Sequence, residues 1–193
     1  MSGDQGFSHL RDELLVEGHV ISVFRSTFRG PDGEEFDREV VRHPGAVSVV
    51  PLTDDGEVVL VRQYRAPLDR FLLEIPAGKR DVEGEPPEET ARRELAEEVG
   101  LVPTELVPLA VFHNSVGFCD EESHVFLGLG LQATARDLQG VEEEHMEEVR
   151  VRLADTPAMI ASGEISDGKT VIGLLLALRA VESGVAAVGG GRT

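Results

Sequence analysis

The chain has no tryptophan, one tyrosine and one cysteine in 193 residues. With Cys119 alone, no intramolecular disulfide can form. Stability must come from a packed core, and a reducing cytoplasm suits such a chain. Any platform for a planar ligand must be Phe, Tyr, His or Arg. Basic residues are scarce: 18 Lys and Arg stand against 36 Asp and Glu, for a formal charge of −18. Such a surface repels nucleic acid and anionic membranes, so neither is expected as a partner. It also repels an anionic small molecule unless a cation mediates, so any phosphate chemistry implies metal ions. Long hydrophobic runs are missing as well. The longest, Val171 to Leu178, is far short of the roughly 20 residues of a membrane span. The polar stretch Met1 to Arg11 lacks the apolar centre of a signal peptide, and none is expected. No repeat or low-complexity linker divides the chain.

What is present is a hydrophobic fraction of 41%, enough for one sizeable α/β domain. Val16 to Ser26 and Glu35 to Arg42 read as strands around the turn Arg29 to Gly33. Ala46 to Leu52 and Glu57 to Tyr64 flank a second turn at Asp54-Asp55-Gly56. Phe71 to Ile75 leads into Pro76-Ala77-Gly78. A helix follows, with Pro86 and Pro87 in its first turn, Glu88 and Glu89 at the positive end of its dipole, and Gly100 as its stop. Glu105 to His113, Ser123 to Leu131 and Val149 to Leu153 read as further strands. Pro157 to Ser162 and Thr170 to Ser183 read as helices. Strands before and after a central helix, with a terminal helix for the other face, imply a three-layer α/β/α sandwich. Residues 1–43 form a small N-terminal β element, 44–188 the main domain, and 189–193 a frayed tail.

The central helix carries Glu94, Glu97 and Glu98. At 3.6 residues per turn, Glu98 lies about 40° from Glu94, and Glu97 about 60° to its other side. Three carboxylates therefore share one narrow face. Most such clusters are solvated acidic faces. Here the loop before the helix contains Gly78 and Gly84, and the whole run reads Gly78-Lys79-Arg80-Asp81-Val82-Glu83-Gly84-Glu85, seven further residues, then Arg93-Glu94-Leu95-Ala96-Glu97-Glu98-Val99-Gly100-Leu101. A divalent cation offsets the like-charge repulsion, and hard Mg²⁺ prefers such oxygens.

This run resembles the Nudix box, G-x5-E-x7-R-E-U-x-E-E-x-G-U with U a bulky apolar residue, and matches it from Glu85 to Leu101. Six residues separate Gly78 from Glu85 where the pattern has five. The addition falls in a loop, where insertion is cheapest, and leaves the helix register intact. The resemblance implies a Nudix-like α/β/α sandwich with a mixed sheet, and Mg²⁺ as cofactor with Mn²⁺ as a substitute. It implies that Glu94 and Glu98 bind metal with help from Glu97, and that the Ala77 carbonyl is a further ligand. Arg93 and Glu85 would form an ion pair holding loop to helix, with Gly78 and Gly100 structural.

Other segments resemble the ADP-ribose pyrophosphatase branch of that family: Arg38 to Val47, Val61 to Arg65, Leu73 to Gly78, Gly117 to Glu121 and Gly163 to Thr170. In that branch the arginine matching Arg65 contacts a substrate phosphate, and the glutamate matching Glu121 lies near the terminal ribose. Glu74, Gly117 and Phe118 join them as expected substrate contacts. Val116 stands where the branch often has proline. Phe24, Phe28 and Phe36 are candidates for an adenine platform, though each reads first as a core residue. The branch draws its general base from a loop that here is Glu142-Glu143-Glu144-His145-Met146-Glu147-Glu148. Glu144 aligns best, Glu143 is next, Glu147 is a possible extra metal ligand and His145 an alternative base.

The expected activity is Mg²⁺-dependent hydrolysis of the diphosphate of ADP-ribose or a related nucleoside diphosphate sugar. The alternatives are a Nudix hydrolase of GDP-mannose or NADH, and a sensor that binds ADP-ribose without cleaving it. Intact box carboxylates and the absence of a basic recognition segment speak against the sensor. A homodimer is expected, in which each subunit's N-terminal strands help shape the other's adenine site.

Overall fold

The computed structural model describes residues 6–138 and 145–184. They form ten strands and three α-helices. In chain order these are β1 (Ser8–Glu17), β2 (Ser22–Arg29), β3 (Glu35–Arg42), β4 (Ala46–Pro51), β5 (Glu57–Arg65), β6 (Arg70–Glu74), β7 (Ala77–Lys79), α1 (Pro87–Val99), β8 (Leu101–His113), β9 (Glu122–Ala133), β10 (Glu147–Arg152), α2 (Thr156–Ser162) and α3 (Gly168–Glu182). The chain divides into two compact units: residues through Gly45 with His113–Glu122, and Ala46–Phe112 with the residues from Ser123 onward.

In the first unit, β1, β2 and β3 form an antiparallel meander. The sequence reads Val16 to Ser26 as a single strand. The structure instead turns at Gly18, whose N–H donates to the Ile21 carbonyl at 2.9 Å, and the preceding residues form β1. The register of β1 on β2 slips between His9 and Arg11 and again between Leu14 and Val16. Irregularities of this kind break the period-2 alternation on which sequence reading depends.

The second unit is layered as expected. β4 lies between β7 and β9, antiparallel to the first and parallel to the second, so the sheet is mixed. Alternation sends Val47 and Val49 of β4, Val59 and Val61 of β5 and Phe126 of β9 into one core, which is closed by Ala91, Leu95 and Val99 of α1. Val50, Val58, Leu60, Val125 and Leu127 face the other core with Leu174 and Ala177 of α3. A strand buried on both faces reads as a continuous apolar run, and β4 and β5 do. α1 ends where Gly100 adopts φ 66°, a left-handed conformation open to glycine, and its N–H caps the Ala96 carbonyl.

β7 is a further difference from the sequence reading. The sequence reading assigns Pro76-Ala77-Gly78 no element. The structure instead pairs Ala77 with Ser48, Gly78 with Val47 and Lys79 with Ala46.

Candidate active site

α1 presents its acidic face toward β7. Gly78 leaves the space that the Glu94 side chain occupies: a Cβ on it would lie 1.9 Å from the Glu94 Cδ and 2.1 Å from its Oε2, and Glu94 would have to move. Glu98 is 5% exposed and accepts a hydrogen bond from the Ala77 N–H at 3.0 Å. β7 thus delivers Ala77 to Glu98 and leaves room for Glu94.

Arg93 ties this face together. Its Nη2 donates to Glu85 Oε2 at 3.1 Å. Its Nη1 donates to Glu94 Oε1 at 2.9 Å and to Glu97 Oε2 at 3.3 Å. Asp81 stands 3.8 Å from the same guanidinium. The sequence anticipates the Glu85 pair. It does not anticipate that one cation serves four carboxylates. Hydrogen bonds to Glu85 and the charge of Glu94 push the Arg93 guanidinium upward, and Arg93 in turn holds the Glu85 carboxyl below its ordinary value. Glu94 goes the other way: burial raises it more than Arg93 lowers it.

Among the described residues, no group of three or more His, Cys, Asp or Glu side chains is gathered as a ready ion site. Two of the three face carboxylates turn to Arg93 and the third to the Ala77 N–H. The donor chemistry nonetheless fits a hard divalent cation. All the side-chain donors on this face are carboxylate oxygens, and Glu94 is half-buried, with its carboxyl held above the ordinary value by that burial.

A second network lies in the same unit. Arg65, at the end of β5, donates from Nε and Nη2 to the two carboxylate oxygens of Glu74, both at 2.7 Å. Glu74 is 1% exposed. Burial pushes its carboxyl up, but Arg65 and Lys169 outweigh this and hold it below the usual value. Lys169 Nζ donates to Glu74 Oε2, and to Asp167 Oδ2 at 2.9 Å. Asp167 caps α3 through the Thr170 N–H at 3.0 Å and hydroxyl at 2.6 Å. The Thr170 hydroxyl accepts from the Ile75 N–H at 3.0 Å. Glu74, expected as a substrate contact, has its carboxylate occupied by Arg65 and Lys169. Lys169, Asp167 and Thr170 are not singled out by residue-level reading, because nothing local in sequence links them to Glu74 or Ile75.

In the first unit, the segment Ser115 to Glu121 is fixed on β3. The Val41 N–H donates to the Phe118 carbonyl at 2.7 Å, and the Asp120 N–H to the Val41 carbonyl at 3.2 Å. Asp120 accepts from the His43 N–H at 3.0 Å and from Arg42 at 3.1 Å. Glu121 stands 4.0 Å from His43 Nδ1. Phe118 is exposed, and with Gly117, Phe28, Arg38 and Asp120 it lines a cavity of about 230 Å³. Phe28 stacks on Phe36 with ring centroids 5.7 Å apart. Glu143 and Glu144, expected as general bases, lie outside the described residues. Glu147 opens β10, 3.9 Å from Arg62, and His145 precedes it.

A fold of two helix layers on a mixed sheet, with α1's carboxylates against β7, defines the class. The NUDIX domain model matches residues 42–171, and the chain belongs to the Nudix hydrolase family, whose members generally use a divalent metal. Among relatives, the ADP-ribose pyrophosphatase of Bacillus subtilis (strain 168) is 41% identical over 158 residues, covering 82% of this chain and 85% of that protein. The ADP-ribose pyrophosphatase of Mycobacterium tuberculosis is 38% identical over 183 residues, covering 95% and 88%. A crystal structure of an ADP compounds hydrolase superposes with a TM-score of 0.80 over 97% of each chain at 22% identity, which speaks for the fold alone.

Proposed function

We propose that the protein hydrolyses the diphosphate of ADP-ribose, to AMP and ribose 5-phosphate, or that of a closely related nucleoside diphosphate sugar, with Mg²⁺ as cofactor and Mn²⁺ as a substitute. The observation that carries this reading is the acidic face of α1, with Glu98 on the Ala77 N–H and Glu94 in the space left by Gly78. Glu94 and Glu98 would hold divalent cations, with Glu97 and the Ala77 carbonyl as further donors; such cations would supply charge neutralisation of the diphosphate and activation of a water nucleophile. Arg65 turns its remaining guanidinium edge to a phosphate. Glu144 or Glu143 accepts the proton of the attacking water. Glu121 serves the terminal ribose, and Gly117 and Phe118 are further substrate contacts.

The test is kcat/KM over ADP-ribose, GDP-mannose, NADH, diadenosine polyphosphates and dNTPs. ADP-ribose is expected to lead. A clear lead for another substrate keeps the family's chemistry and discards this specificity. Turnover of none, with ADP-ribose still bound, makes the protein a sensor.

The protein is further proposed to act as a homodimer in the cytoplasm. The support is the apolar surface left on β1, where Leu14 and Val16 are 50% and 57% exposed. Among the described residues no helix is long and apolar enough to cross a membrane. Light scattering on the chromatographic peak is expected to give twice the chain mass. A peak at the mass of one chain would refute the dimer.

A further inference from the structure

Lys169 is an unusual residue for its place. It sits in the first turn of α3, where the helix dipole disfavours a cation. It is also mostly buried, with its side chain 16% exposed, which costs an ammonium group solvation. Both costs are offset by Glu74 and Asp167, between which its Nζ lies. Those two carboxylates belong to the surroundings of Arg65: one binds the guanidinium in bidentate fashion and the other acts on it through space. With Lys169 the group of four side chains is neutral, two cations against two anions, and Glu98 acts on Arg65 from outside it. Without it, the same group carries one net negative charge.

That charge decides what Arg65 can do. Its Nε and Nη2 are committed to Glu74, so the Nη1 edge is what it has left, and the side chain is 35% exposed. A guanidinium presents an anion with a fork of N–H donors whose attraction depends on the net charge around it.

We propose that Lys169 is a positioning residue for the diphosphate contact: by neutralising Asp167 and completing Glu74, it keeps Arg65 cationic toward substrate and fixed at the end of β5. The Thr170–Ile75 hydrogen bond extends the same anchoring to the backbone that leads into β7. The inference rests on the reading of Arg65 as a substrate-phosphate contact.

The experiment is a kinetic double-mutant cycle on the full-length protein with ADP-ribose and Mg²⁺, using Lys169→Met, Arg65→Ala and the double variant. Loss of a charge-assisted contact predicts that Lys169→Met raises KM about tenfold with a smaller change in kcat. In the Arg65→Ala background, Lys169→Met is expected to change KM no further, because its effect runs through Arg65. Lys169→Arg is expected to restore most of the loss. Lys169→Gln, which keeps a hydrogen-bond donor without the charge, serves if Lys169→Met does not fold, and is expected to behave like it. If Arg65→Ala raises KM but the lysine variant leaves KM unchanged, or adds its full effect in the Arg65→Ala background, the positioning role is overturned and the substrate reading stands. If Arg65→Ala leaves KM unchanged, the reading of Arg65 fails and the inference falls with it.

Discussion

Glu98→Gln is expected to lower kcat about a thousandfold while leaving the fold intact, since cation stabilisation of transition-state charge is worth several kcal/mol at about 1.4 kcal/mol per decade. The substitution is close to isosteric. Its amide oxygen can still accept from the Ala77 N–H, so the α1–β7 contact survives. What disappears is the negative charge of a residue only 5% exposed on the acidic face. Circular dichroism and melting temperature should match the parent within a few degrees. Turnover within tenfold of the parent, at saturating cation, would mean that Glu98 holds no metal. A collapsed melting temperature would instead make Glu98 a structural residue.

Arg93→Met is expected to act on stability as much as on activity. Arg93 is the shared partner of Glu85, Glu94, Glu97 and Asp81. Its removal leaves carboxylates facing one another in a partly buried site. Breaking a fully buried pair costs about 3–5 kcal/mol, and the 30% exposure of Arg93 calls for discounting this to about 2 kcal/mol. For a chain of this size that is a fall of roughly 4–8 °C in melting temperature. The informative part is the rescue. In the variant, a divalent cation becomes the main neutraliser of those carboxylates. Added Mg²⁺ should therefore raise the melting temperature of Arg93→Met more than that of the parent protein. Equal shifts in the two proteins would separate the Arg93 network from the cation site.

The layered fold was legible in the sequence for a physical reason. β4 and β5 are buried on both faces and announce themselves as apolar runs, and α1 is bounded by Pro87 and Gly100. β1 was not, because Arg11, Asp12 and Glu13 interrupt it and its pairing slips twice. β7 was hidden by its composition: Pro76 and Gly78 are poor strand formers, yet Gly78 leaves the space that Glu94 occupies. At the site, the spacing of Glu94, Glu97 and Glu98 put three carboxylates on one face without coordinates. Arg93 reaches Glu97 through the i,i+4 relation, which a helical wheel displays, but its reach to Asp81 depends on the loop. Lys169 and Glu74 are 95 residues apart in sequence and meet only in the folded chain, where α3 packs on β4. The reading of Glu74 as a substrate contact came from its segment's resemblance; its burial is visible only in three dimensions.

The central claim is that the acidic face of α1 works through a divalent cation on a diphosphate. The most direct measurement is product formation from ADP-ribose by the metal-stripped protein, with and without added Mg²⁺. The account predicts AMP and ribose 5-phosphate in equal amounts with Mg²⁺, none after EDTA, and recovery when excess Mg²⁺ is restored. Undiminished hydrolysis in EDTA would contradict it.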